Sequence, residues 1–109
     1  MQEALYRRLI ELARLQSVTR YADVAPSVGF DVANQEDRTE IGRMLGEIST
    51  FEHQQGHPLL SAVVIHQDNN MPGQGFFTLA RELHVYNGED DFLFFVQELR
   101  RVHDFWRNH

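Results

Sequence analysis

The chain has 109 residues, of which 42% are hydrophobic and 11% aromatic, so it is long enough to fill one hydrophobic core and too short for two. Its formal net charge of −6 opposes non-specific binding to a phosphate backbone, and the absence of cysteine excludes disulfides, thiolate metal sites and thiol nucleophiles. We therefore expect a single domain over residues 1–109, with no cofactor and no metal.

The N-terminal half of the chain predicts three helices. From Gln2 to Leu15 the apolar residues recur at helical spacing, whereas Ser17–Thr19 favours a short strand. A second helix is predicted from Arg20 to Val28, shortened or kinked by Pro26. Asn34 is the predicted N-cap of a third, long helix whose apolar positions are spaced by three and four: Ile41, Met44, Leu45, Ile48 and Phe51.

Two glycines interrupt the predicted third helix. Gly42 and Gly46 lie one turn apart on one side, and each weakens a helix by about 1 kcal/mol relative to alanine. We expect the close approach of another backbone to compensate for this cost.

The C-terminal half predicts a strand, a loop and two helices. Leu59–Ile65 is a continuous apolar run that indicates a buried strand, and the turn-forming residues 67–75 indicate a loop or wing. Helical patterns follow over 76–83 and again after Asp90 or Asp91, which can cap the last helix. The predicted apolar stripe of that helix is Phe92, Phe95, Val96, Leu99, Val102 and Trp106.

Two further aromatic residues of the last helix, Phe94 and Phe105, lie away from this stripe. They predict either an exposed interface or burial under the N-terminal helix, and the sequence leaves both alternatives open.

Three segments, in order, resemble the winged-helix domain of the DNA alkyltransferases and alkyltransferase-like proteins. They are Thr19–Gly29 with its Thr, Tyr, Ala and Gly, then Ile41–Leu45 with its glycine, and Pro58–Val64 followed by the turn Gly73–Phe76. The resemblance implies a mostly helical α/β fold with a winged-helix-like core, extra N- and C-terminal helices and a short sheet.

The sequence departs from this family at its reactive site. Where the family has Cys, His and Arg after the proline, this chain has Leu59, Leu60 and Ser61, so alkyl transfer is excluded. The position of the family's base-displacing arginine is matched by Thr39, with Arg38 adjacent.

Several residues allow a chemical and a structural interpretation. His53 and His57 are four residues apart, but without a third ligand we expect no metal site. Ser61 lacks the sharp turn of a nucleophile, and we expect its hydroxyl to bond a neighbouring backbone group. Gly73 and Gly75 either form a structural turn or free backbone amides for an anion-binding loop.

Acidic residues suggest the leading functional hypothesis, a non-catalytic binding protein that recognises a basic protein, as an immunity or antitoxin-type protein does with a basic toxin. The candidate partner-binding residues are Glu36, Asp37, Glu40, Glu89, Asp90 and Asp91. The alternative is that these acidic residues are solvated and only stabilise the starts of helices through the helix dipole.

The alternative is a winged-helix DNA-binding or alkyltransferase-like regulatory protein, with dimerisation through the terminal helices left open. Its candidate nucleic-acid-binding residues are Arg20, Arg38, Thr39 and Arg43. An enzyme is the third hypothesis, with only scattered His, Ser and acidic residues behind it. No stretch approaches the roughly 20 apolar residues of a membrane span, and we expect a cytoplasmic protein that does not bind membranes.

Overall fold

The computed structural model describes all residues, Met1–His109. Its helices are α1 (Glu3–Arg14), α2 (Tyr21–Ser27), α3 (Gln35–Gln54), α4 (Gln74–Glu82) and α5 (Asp91–Arg107). The short strands β1 (Thr19–Arg20) and β2 (Val64–Ile65) pair in parallel, with Thr19 opposite Val64 and Arg20 opposite Ile65. The predicted mostly helical α/β class is therefore confirmed. None of the helices is long and apolar enough to cross a membrane.

The core is one continuous cluster of 22 buried apolar residues. The periodic positions of α1 are buried, as are those of α3 except Phe51, which is 38% exposed and packs edge-on against Tyr6. Asn34 caps α3 as predicted, and of the two residues predicted as caps for α5, Asp90 is the cap. Their side chains accept the amides of Asp37 and Leu93 at 3.0 Å. Local sequence signals thus place the long helices correctly.

The prediction of a strand over Leu59–Ile65 is wrong for most of its length. Leu60–Val63 forms a short 3₁₀ helix, and only Val64–Ile65 is extended. A buried strand of seven residues needs partners for all its backbone groups, whereas β1 offers only two residues. The segment instead bonds locally and through side chains: Glu98 accepts the Leu59 amide at 2.8 Å and Ser49 accepts the Ser61 amide at 3.0 Å.

The 3₁₀ helix lies at the centre of the molecule, against α1, α3 and α5. Its four residues are all buried, as are Leu59 before it and Val64 and Ile65 after it. The apolar run therefore indicates that the segment is completely buried. It does not indicate a strand, because periodicity alone does not distinguish a buried strand from a buried helical segment.

The predicted apolar stripe of α5 is also partly wrong. Phe92 and Val96 are exposed, and the buried face consists of Phe95, Glu98, Val102 and Trp106. Because the buried face includes a glutamate, it does not coincide with the face that the apolar residues predicted. Phe94 and Phe105, the two residues outside the predicted stripe, are half-buried.

Neither alternative for these two aromatic residues describes their packing fully. Phe94 packs in an aromatic group with Phe76, Phe77 and Tyr86, and its ring stacks on Tyr86 with centroids 4.5 Å apart. Phe105 packs against His57 with ring centroids 4.3 Å apart.

Candidate functional site

A cleft of about 470 Å³ lies between α2, α3, α4 and the 3₁₀ helix. Sixteen residues line it, and none of them is acidic, although the chain contains 16 aspartates and glutamates. The lining includes one arginine, Arg38, and one histidine, His66. The lining of this cleft is therefore free of negatively charged side chains, although the protein as a whole is acidic.

Glycines form part of the cleft wall. Gly42 and Gly46 of α3 line the cleft, and so do Gly73 and Gly75 at the start of α4. The predicted close approach of a backbone to Gly42 and Gly46 is wrong: a Cβ at Gly42 would meet no atom within 4 Å, and one at Gly46 would meet only the Leu79 side chain at 3.9 Å. Both glycines line the cleft, and Gly46 alone approaches a neighbouring helix, through the Leu79 side chain of α4.

Arg38 and Thr39 are the two candidate nucleic-acid residues that reach the cleft. The two terminal nitrogens of Arg38 donate to the Val32 carbonyl oxygen and to the side-chain oxygen of Gln35, both at 2.6 Å. A guanidinium carries five N–H groups, so three remain for another acceptor. Thr39 donates its hydroxyl proton to the Gln35 carbonyl oxygen at 3.0 Å.

The other two candidate arginines lie outside the cleft lining. Arg43 is held by both carboxylate oxygens of Glu40 at 2.9 and 3.0 Å and by Glu47 at 3.2 Å. Arg20 is exposed at the end of β1. The four candidates therefore do not form one continuous basic groove.

Ser61 contributes a hydroxyl to the cleft lining and, against expectation, bonds a side chain and not the backbone. Its Oγ lies 2.6 Å from the Oγ of Ser49, which also accepts the Ser61 amide. Ser49 is fully buried and has no other acceptor for its own proton, whereas Ser61 borders the cleft. The arrangement with the fewest buried unpaired groups has Ser49 donating to Ser61, which leaves the Ser61 proton for an acceptor in the cleft.

Tyr21, His66 and Gly73 lie next to one another in the lining of the cleft. The rings of Tyr21 and His66 stack with centroids 4.2 Å apart and planes 6° apart. A Cβ at Gly73 would lie 3.0 Å from Nε2 of His66, so a larger residue here would require the His66 ring to shift. Burial raises the pKa of Tyr21, and a hydrogen bond donated by the backbone of Gly73 to the phenol oxygen partly offsets this rise.

The start of α4 opens onto the same cleft. Gly73 is its N-cap and supplies no side chain, so the first amides of the helix have no side-chain acceptor. Gly73 and Gly75, the predicted anion-binding loop, thus share a cavity with Arg38 of α3. The sequence offered no cation near this loop, and the tertiary structure supplies one.

Four of the six candidate partner-binding acids have structural tasks. Asp37 accepts the Asp31 amide at 2.9 Å, Glu40 pairs with Arg43, and Asp90 caps α5. Asp91 accepts the Tyr86 hydroxyl at 2.6 Å; desolvation and this bond raise the pKa of Tyr86 to about 12. The carboxylates of the remaining two, Glu36 and Glu89, are exposed and form no hydrogen bond within the protein.

An exposed apolar group follows the second acidic cluster directly. Phe92, Leu93 and Val96 are 64%, 51% and 43% exposed, and their spacing of three and four places them together on one side of α5. We call this group, together with Glu89, Asp90 and Asp91, the α5 surface. Sequence analysis missed it because it assigned Phe92 and Val96 to the core.

Sequence analysis also missed two buried carboxylates. Glu52 accepts the Tyr6 hydroxyl at 3.0 Å, and burial followed by this bond raises the Tyr6 pKa to about 12. Glu98 joins α5 to the Leu59 amide and to Arg101. No local signal identifies either residue, since glutamate is almost always exposed in helices of this kind.

No protein family model matches the chain, and no curated protein or solved structure was found to be similar to it. In the cleft, the Ser61 hydroxyl pairs with Ser49, the His66 ring stacks on Tyr21, and no carboxylate is present to orient either group.

Proposed function

We propose that this chain is a non-catalytic binding protein that recognises a basic protein partner through the α5 surface. The observation that carries the proposal is the group of exposed apolar residues, Phe92, Leu93 and Val96, directly beside the acidic run Glu89–Asp91. Grouped exposed apolar residues with a polar rim are typical of protein interaction sites.

Each half of the α5 surface has a distinct role in this proposal. Phe92, the most exposed aromatic ring, is the anchor that fills a pocket on the partner, because buried aromatic anchors dominate interface energetics. The acidic rim attracts a positively charged partner over distance and accelerates association, an effect that the net charge of −6 reinforces. An immunity or antitoxin-type protein that neutralises a basic toxin fits this combination.

The test measures the rates at which variants of this chain associate with, and dissociate from, a basic partner captured from the native host. We expect Phe92→Ala to weaken the complex by about tenfold or more through faster dissociation, since loss of an anchor costs on the order of 2 kcal/mol. The matched control is Leu15→Ala, which removes an apolar side chain that is 67% exposed elsewhere on the molecule. Equal affinities of the Phe92 and Leu15 variants would contradict the proposal.

The electrostatic half is tested with Glu89→Gln, because Glu89 alone in its cluster has a carboxylate without a hydrogen bond within the protein. We expect slower association and a weaker dependence of the association rate on salt. Asp90 and Asp91 are unsuitable for this test, since their substitution would also disturb the cap of α5 and the bond to Tyr86. An association rate of the unaltered protein that does not change with salt would refute the steering role.

DNA binding by a winged-helix-like domain is the second candidate function. A specific observation favours it: Arg38 and Thr39, the residues at the position of the family's base-displacing arginine, both line the cleft. The pairing of Arg43 with two glutamates weighs against it.

A gel-shift assay with duplex DNA at low salt tests this candidate. If the protein binds DNA, Arg38→Ala should lower the bound fraction, whereas Arg8→Ala, at an exposed position of α1, should not. Absence of a shift with the unaltered protein would eliminate DNA binding.

A further inference from the structure

We propose that the cleft between α3 and α4 is a binding site for a small organic anion, a carboxylate or phosphate monoester attached to an apolar body. This inference does not depend on the α5 surface. It would add a small-molecule ligand to a protein that recognises another protein.

The first argument comes from the glycines of α3. Gly42 and Gly46 together forfeit about 2 kcal/mol of helix propensity relative to alanine, and neither is required by packing. Alanine at either position would make only ordinary contacts or none. What the two glycines do preserve is open volume along the cleft wall, which a ligand can occupy.

The second argument comes from the charges and donors around the cleft. Arg38 has N–H groups left over, and the start of α4 presents amides without a side-chain cap. With Ser49 as the donor of the bond between the two serines, Ser61 keeps a hydroxyl proton without a protein acceptor. No carboxylate lines the site to repel a negative group. A carboxylate or phosphate accepts several such donors at once, and the positive end of the α4 dipole favours it further.

The third argument concerns size and the apolar part of the lining. Leu45, Phe76 and Leu79 contribute apolar side chains to the same cavity. Its volume of about 470 Å³ falls within the range of small-molecule sites, which runs from roughly 300 to 1,000 Å³. Inorganic phosphate alone would leave most of this space unfilled, so the ligand needs an apolar body.

The test follows backbone amide resonances by NMR during titration with four probes: hexanoate, phenyl phosphate, neutral 1-hexanol and inorganic phosphate. We expect hexanoate or phenyl phosphate to shift the amides of Gly42, Gly46 and Gly75 with a dissociation constant of about 1 mM, an affinity ordinary for fragments of this size. The two organic probes distinguish a carboxylate ligand from a phosphate ester. Hexanol and inorganic phosphate should bind at least tenfold more weakly.

Two variants assign the binding to the cleft. Gly42→Leu places a side chain in the space that the ligand would occupy, so it should abolish the shifts. Thermal stability should stay equal or rise, because a Cβ at this position meets no protein atom within 4 Å. Arg38→Gln should lower affinity for the organic anion by about tenfold and leave hexanol binding unchanged. Phe92→Ala should have no effect, which separates this site from the α5 surface.

Three results would overturn the proposal. They are unshifted glycine amides with both organic anions, equal binding of hexanol and hexanoate, and undiminished binding to Gly42→Leu. Duplex DNA that shifts these amides when neither organic anion does would assign the cleft to nucleic acid.

Discussion

Glu98 shows how one side chain determines a local fold that propensity does not. It is 2% exposed, and one carboxylate oxygen accepts the Leu59 amide at 2.8 Å while the other accepts Arg101 at 2.6 Å. The Leu59 amide stands where the predicted strand would have begun, and its partner comes from a residue 39 positions away. The start of the 3₁₀ segment is therefore tied to α5 by a charge-assisted hydrogen bond.

Removing this acceptor should destabilise the protein. Glu98→Ala leaves the buried Leu59 amide without a partner, and we expect the free energy of unfolding to fall by about 2–3 kcal/mol. Glu98→Gln keeps an oxygen that can accept the amide and should cost less. Urea denaturation of both variants measures the difference, and equal losses would show that the hydrogen bond is not the cause.

At the scale of elements, the glycines within α3 differ in kind from the glycine that follows its C-terminus. Gly42 has an open surrounding, while Gly56 follows the C-terminus of α3 with φ of +77°, in the left-handed region that favours glycine. The same chemical change at the two positions therefore has opposite consequences. The sequence shows only that both residues are glycine.

We expect Gly42→Ala to raise the free energy of unfolding by about 0.5–1 kcal/mol, through helix propensity and a less flexible unfolded chain. Gly56→Ala should lower it by about 1 kcal/mol, because alanine is strained at a positive φ. Thermal denaturation of the two variants under one set of conditions compares them. A destabilising Gly42→Ala would show that its side of α3 is packed and would remove the first argument for the cleft as a binding site.

The α5 helix illustrates a second effect at this scale. Six apolar positions predicted one stripe, yet its first turns expose Phe92 and Val96 and bury Glu98. Helical periodicity places apolar residues on a face but does not say which face meets the core when a helix has apolar residues on two sides. The surplus apolar side is what creates the α5 surface.

For the whole molecule, the decisive feature is the position of the 3₁₀ helix between α1, α3 and α5. The three long helices pack around a short buried segment instead of against an extended sheet. Leu60 at its start is fully buried, so the packing of several elements depends on this one side chain.

Leu60→Ala should lower the free energy of unfolding by about 2–5 kcal/mol, the range for a leucine removed from a packed core. Leu15→Ala, at a position that is 67% exposed, should change it by less than about 0.5 kcal/mol. Chemical denaturation monitored by tryptophan fluorescence is suitable, since Trp106 is buried in the same core. Similar values for the two variants would contradict a central role of the segment.

The sequence by itself determined the helices α1, α3 and α5, the cap at Asn34, a cap at Asp90 or Asp91, and the mostly helical class. These features depend on residues close together along the chain. It also identified Arg38, Gly73 and Gly75 as candidate site residues, but not that they meet, and it missed the exposed apolar residues of the α5 surface. Arg38 lies far along the chain from Gly73 and Gly75, and no local pattern reports that all three border one cleft.

Only the tertiary structure decided the conformation of Leu59–Ile65, the buried face of α5 and the environment of Gly42. Each of these depends on the neighbouring elements. The strand β1 offers only two residues for pairing, Glu98 of α5 accepts the Leu59 amide, and no atom lies within 4 Å of a Cβ at Gly42. The physical reason is the same in all three cases. Backbone hydrogen bonds and side-chain burial must be satisfied by partners distant in sequence, and those partners exist only once the chain has folded.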